Sequence, residues 1–111
     1  MANTFKNAAL ANASNSSYGT LYTAPSSTTS VLLGVALANK TGNSVTVQVQ
    51  FTDASASAAT FQLLESVSIP GNTTLEVLQG QKYILETGDI LKIKAGTANA
   101  IDAVAGLMEI T

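Results

Sequence analysis

The sequence predicts an all-β fold, a single antiparallel β-sandwich or jelly-roll-like domain of seven or eight strands. Three observations carry that expectation. Beyond Tyr18, apolar residues recur with a period of two, the mark of strands that bury one face. Turn residues break the pattern roughly every 8 to 12 residues, the spacing of sandwiches and barrels. No window carries apolar residues at i, i+3, i+4 and i+7, so a helix has no face to bury. With 111 residues the chain is one domain. It divides into residues 1–17, an N-terminal arm or edge strand, and residues 18–111, the sandwich.

The clearest strand has Val45, Val47, Val49 and Phe51 on one side and Thr46, Gln48, Gln50 and Thr52 on the other. It reads as half-buried and antiparallel. Upstream, Val31, Leu33, Val35 and Leu37 alternate with Leu32, Gly34, Ala36 and Ala38, small or apolar in both phases, which points to a more central strand. Between them, residues 39–43 carry Gly and Asn, which tolerate positive φ, so the two strands are expected to pair as a hairpin. Residues 53–59 are Ala and Ser with one Asp, a loop by composition. A strand over 60–69 puts Phe61, Leu63, Val67 and Ile69 in phase, with Glu65 at an inward position, so a bulge near Leu64 or an end to burial is expected there.

Pro70-Gly71-Asn72 reads as a type II turn with Gly71 at the positive-φ position. Short strands follow at 74–78 and 82–86, split by Gly80. Thr87-Gly88-Asp89 turns the chain into 90–95, where Leu91 and Ile93 point in and Lys92 and Lys94 out. The last strand, 100–110, is apolar throughout and reads as buried on both faces. The first seventeen residues are Asn, Ala and Ser, with Phe5 and Leu10 as their large apolar groups. Six aromatics leave most of the packing to Val, Leu and Ile.

Composition excludes more than it assigns. Five Lys, no Arg and seven acidic residues give a net charge of -2, and only 11% of residues are charged, less than half the usual share. Eleven Ser, fourteen Thr and eight Asn supply uncharged polarity instead. Five scattered lysines do not neutralise a run of phosphates, so nucleic acid is not an expected partner. The absence of Cys removes disulfides, thiolate metal sites and thiol nucleophiles. The absence of His removes the usual general base. No run approaches the roughly 18 apolar residues of a membrane helix, and residues 1–17 lack the apolar core of a signal peptide, so synthesis in the cytoplasm without membrane attachment is expected.

Few groups remain that carry chemistry. Glu86-Thr87-Gly88-Asp89, with Glu76 and Asp102, is the one carboxylate grouping, and Gly-Asp between two strands is ordinary turn chemistry, so no catalytic residue, metal or cofactor is expected. Lys82, Lys92 and Lys94 on or beside outward strand positions read as guards against edge-to-edge pairing. Tyr18, Tyr22 and Tyr83 are candidates for stacking on sugars, or each caps the core with its hydroxyl in water, which is the commoner outcome. Sequons at Asn12, Asn15, Asn39 and Asn72 are expected by chance in a chain so rich in Asn, Ser and Thr.

One resemblance lies in the order of motifs. Thr20-Leu21-Tyr22-Thr23-Ala24-Pro25 precedes a Val/Leu strand ending Leu37-Ala38-Asn39. Val45-Thr46-Val47 leads to Thr52-Asp53, Ile69-Pro70-Gly71-Asn72 to Leu75-Glu76-Val77-Leu78, and Leu85-Glu86-Thr87-Gly88-Asp89 to a terminal Glu109-Ile110. From about residue 2 to residue 111 this resembles small β-sandwich virion proteins of tailed bacteriophages. The resemblance implies a non-enzymatic structural protein of the virion, foremost a capsid decoration or cement protein, with a neck, tail or fibre component or a glycan-binding adhesion module as alternatives. It implies partners among the major capsid protein or the neck and tail proteins, and a homo-oligomer with a trimer favoured. Low charge fits such a subunit, because interface cores are depleted in charge. The interface residues expected are Phe5, Leu10, Tyr18, Tyr22 and Tyr83, with the arm around Phe5 and Leu10 as the attachment element.

Overall fold

The computed structural model describes residues 3–111; Met1 and Ala2, at the head of the 1–17 segment, lie outside the described residues. The chain is an antiparallel β-sandwich with nine strands among the described residues. They are β1 (Asn3–Leu10), β2 (Gly19–Thr23), β3 (Thr29–Asn39), β4 (Val45–Asp53), β5 (Ala59–Ile69), β6 (Thr74–Glu76), β7 (Tyr83–Leu85), β8 (Ile90–Ala95) and β9 (Ile101–Ile110). Sheet I runs β1-β9-β3, with β6 and β7 lying end to end along the far edge of β3. Sheet II runs β2-β8-β4-β5. The chain changes sheet at every connection except β4 to β5 and β6 to β7, which is the winding of a jelly roll.

Between the sheets lie Leu32, Val35 and Leu37 of β3, Val47 and Val49 of β4, Leu91 and Ile93 of β8, and Ile101 and Leu107 of β9. Aliphatic side chains fill the centre, as the shortage of aromatics requires. The bulge expected near Leu64 is present: β5 spends two residues, Glu65 and Ser66, where β4 spends one, and Ser66 has φ of 51°. A second irregularity follows at Leu63.

Four expectations need correction. β3 and β4 are not paired; they belong to opposite sheets. The reason is Asn39, whose buried side chain organises the corner between them. Its Nδ2 donates to the Asn43 and Ile69 carbonyls (2.8 and 3.0 Å), and its Oδ1 accepts from the Thr41 N–H (2.9 Å). A polar side chain bonded on three sides to main chain holds the turn open as a crossing, where a hairpin would close it. Second, β2 escaped the period-two pattern because a register shift between Thr20 and Tyr22 buries Leu21 and Tyr22 in succession.

Third, the left-handed residue of the 70–73 turn is Asn72 (φ 58°), not Gly71. Gly71 is needed for contact: a Cβ there would overlap the main chain of Gly42 on the neighbouring turn. Fourth, β9 is buried on one face only. Ile101, Ala103, Ala105 and Leu107 face the core, whereas Val104 and Gly106 are exposed. A two-layer fold has one interior, so the second apolar face of β9 finds no cover among the described residues.

Two polar groups pin the layers. Tyr22 of sheet II reaches across the core, donates to the Glu109 carboxylate of β9 (2.5 Å) and lies 2.6 Å from the Ser30 hydroxyl of β3. The inward Glu109 thereby gains a partner, and burial with the Glu109 bond pushes the Tyr22 hydroxyl up from 10.0 to about 12. Asp89, 1% exposed, accepts from the Ala54 N–H (2.9 Å) and the Glu86 N–H (2.8 Å), tying the 86–89 turn to the 3-10 turn Ala54–Ala56.

Two measurements check this reading. Tyr22 binds its proton more tightly folded than unfolded, so its contribution to stability is complete below pH 10.0 and lost as the pH rises through about 12. Denaturant unfolding of the wild type is expected to lose up to about 3 kcal/mol more than Tyr22→Phe across that window; equal losses contradict the inter-sheet pin. Thr52 Oγ1 is the one buried side-chain oxygen or nitrogen without a hydrogen bond among the described residues. Thr52→Val therefore removes an uncompensated hydroxyl and is expected to stabilise the fold by about 1 kcal/mol, read as a rise in Tm, whereas a fall contradicts it.

Candidate assembly surface

The register of sheet I places residues of like phase side by side on its outer face. One row crosses all four strand positions: Phe5 pairs with Met108, Met108 with Val31, and Val31 with Ile84. A parallel row holds Ala9, Val104, Ala36 and Glu76. Between them the extra residue of a β3 bulge, Leu33, is turned outward, because β3 spends three residues from Leu32 to Gly34 where β9 spends two. Phe5 is 77% exposed, Ile84 54%, Val104 50% and Leu33 39%, four of the six large apolar side chains left open among the described residues. Large exposed patches of this kind mark interaction sites.

In the paired registers, charge reaches this face at Glu76 and Asp102. Glu76 fills the gap between β6 and β7, where its carboxylate accepts from the Val35 N–H (2.8 Å). Asp102 accepts from the Asn12 N–H (2.9 Å) and pairs with Lys40 at 3.0 Å, and these two partners, the Asn12 bond foremost, hold its carboxyl below the usual range.

The outer face of sheet II is the opposite in character. Its matching row reads Thr20, Lys92, Gln50 and Gln62, and beside it Gln48 pairs with Lys94 and bonds Glu65 (2.6 Å). One side of the sandwich is therefore built for water and the other is not.

The tyrosines do not converge. Tyr18 stands over sheet II, with Lys94 Nζ 5.6 Å from its ring and Gln62 donating to its hydroxyl (3.3 Å). Tyr83 lies at the other edge, lining an apolar cleft of about 130 Å3 with Leu32, Phe51, Leu63 and Leu91. Tyr22 is inside the core, which takes it out of the candidate surface. Leu10 is half-buried against the core, so of the arm pair only Phe5 projects. Residues 3–10 form a strand hydrogen-bonded along β9. The residues missed by sequence reasoning are Val31, Leu33, Ile84, Val104 and Met108; the signal for all but Ile84 was the apolar character of 31–38 and 100–110 in both phases.

Carboxylates of Asp53, Glu86 and Asp89 lie within 4.8 Å of one another. Asp89 spends its oxygens on main-chain N–H groups, and Asp53 accepts from the Ser55 N–H and hydroxyl (3.0 and 2.7 Å), so the group organises two turns. Asn39 is buried at its corner, which leaves its sequon without an accessible acceptor.

No protein-family model matches the chain, and no curated protein matches it. Solved structures do. A subunit of Bacillus endospore appendages, described as a novel family of disulfide-linked pili, superposes with a TM-score of 0.52 at 14% identity over 96% of this chain and 85% of that one. The T13 particle of infectious bursal disease virus contains a chain that superposes with a TM-score of 0.56 at 11% identity over 96% of this chain. This chain spans 30% of the length of that viral subunit. At these identities the likeness is one of fold: an all-β sandwich also found in subunits of assembled particles and polymers.

Proposed function

We propose that this chain is a non-enzymatic structural subunit of a virion, a decoration or cement protein of a tailed-phage capsid, that assembles through the outer face of sheet I. One observation carries the proposal: the row Phe5, Met108, Val31, Ile84 is uncharged across sheet I, while the equivalent row of sheet II is polar and basic. A subunit that decorates a shell needs one adhesive face and one wet face, and it repeats a modest contact by symmetry until the sum holds. The low total charge fits a molecule of which much is covered. The solved neighbours support the reading at the level of fold, since chains that superpose on this one occur in a viral particle and in a pilus. The disulfide linkage of those pili has no counterpart here, because the chain contains no Cys. A neck, tail or fibre position uses the same face and is the next alternative.

The test is incorporation into particles. Ile84 and Val104 are half-exposed, so Ile84→Lys and Val104→Lys leave the core intact while placing charge on the adhesive face. Quantitative mass spectrometry of purified particles is expected to show about a tenfold or greater loss of the double variant, with Gln50→Lys/Gln62→Lys on sheet II retained. Normal loading of the sheet I variant, or absence of the wild type from particles, contradicts the proposal.

A further inference from the structure

We propose that two copies of this chain pair through the outer faces of sheet I, about a two-fold axis that lies in the interface and runs along the strands. The proposal rests on the reading of that face as an assembly surface and adds the identity of what covers it. Association through the β6/β7 and β5 edges is discouraged by the fold itself. The β6 and β7 edge is broken into two strands of three residues, and β5 carries two register shifts. Short and bulged edges resist strand addition. The open face has no such guard.

An axis along the strands sets β1 over the partner's β7 and β9 over the partner's β3. Phe5 then meets the partner subunit's Ile84, and Met108 meets the partner subunit's Val31, so the most exposed apolar groups at the two ends of the row cover each other. The row with the carboxylate behaves as well: Glu76 meets the partner subunit's Ala9 and is kept from Asp102. An in-plane axis across the strands would reverse the ends and lay the Glu76 carboxylate on the apolar row, which buries charge against aliphatic side chains. The favoured axis also keeps the strand directions of the two sheets aligned, the common geometry of stacked sheets.

Four strand positions at about 4.8 Å and ten residues at about 3.3 Å give a face of roughly 600 Å2 per copy. The pair therefore covers about 1,200 Å2 in all, the lower bound for a specific, stable interface. A two-fold pair uses this face in full, whereas the trimer favoured from the resemblance would divide it between two neighbours.

Paired cysteines test this directly, since the chain has no Cys of its own. Within one copy, positions 5 and 84 stand three strand spacings apart, about 14 Å, beyond the roughly 7 Å limit for a disulfide. Phe5→Cys/Ile84→Cys in the full chain, mildly oxidised, is expected to give a closed covalent dimer on a non-reducing gel, with either single variant left uncrosslinked. An open ladder of multimers would instead mean β1 added beside β7 of the next copy, and a product from Phe5→Cys alone would mean like edges meeting; either overturns the two-fold pair. Sedimentation equilibrium of the unaltered chain removes any dependence on the variants: twice 11.3 kDa is expected, and a monomer or trimer at high concentration overturns the pairing. A monomer that still loads onto particles defeats this inference alone. A dimer found in no particle defeats the proposed function alone.

Discussion

A two-layer sandwich buries only the two surfaces that its sheets turn toward each other. That constraint governs this molecule, because the two central strands of sheet I, β3 and β9, are apolar on both sides. Their inner residues, Leu32, Val35, Leu37, Ile101 and Leu107, are fully used by the core. The outer residues are paired in rows yet covered by nothing among the described residues. In an isolated copy they leave apolar area in water, at roughly 25 cal/mol for each Å2. Covering about 1,200 Å2 is a strong drive to associate, offset by the entropy of docking, so the face works best when contacts are repeated by symmetry.

The remaining polar groups are spent on geometry. Asn39 holds the crossing from β3 to β4, Asp89 ties two turns, and Tyr22 with Ser30 and Glu109 joins the sheets through the core. Each is buried and bonded to fixed partners, as a low-dielectric interior demands. With twelve ionisable acidic and basic side chains in 111 residues, and two of the acids committed to the interior, little charge is left for the surface. On sheet II it falls at Lys92, Lys94 and Glu65, and on the outer face of sheet I at Glu76 and Asp102.

The all-β class and most strand positions were legible because alternation is a direct consequence of the pleat: 90–95 and the bulge near Leu64 could be read from Lys92, Lys94 and Glu65 alone. β2 was hidden by its bulge, which puts two successive buried residues where alternation permits one. The crossing at Asn39 was hidden because Asn and Gly serve hairpins and corners equally, and the partners that decide, the Ile69 and Pro70 carbonyls, lie some thirty residues away. The candidate surface was half legible. Phe5 stood out as a lone large residue in a small-residue segment, whereas Ile84 and Met108 became neighbours of it only through the register. Apolar residues in both phases of the last strand were read as burial on both faces; the structure buries one, because a two-layer sandwich has a single interior.

Hydroxyl-radical footprinting with mass spectrometry asks most directly whether a neighbour covers the outer face of sheet I. Phe5 is 77% exposed in a single copy and Phe61, on the opposite edge, is 52% exposed. If the face is covered, Phe5, Met108 and Ile84 are modified more slowly than Phe61 in the assembled state and regain their reactivity on dilution. Reactivity of Phe5 above that of Phe61 at every concentration and in the purified particle would show the face open to water, and the explanation offered for its apolar rows would fail.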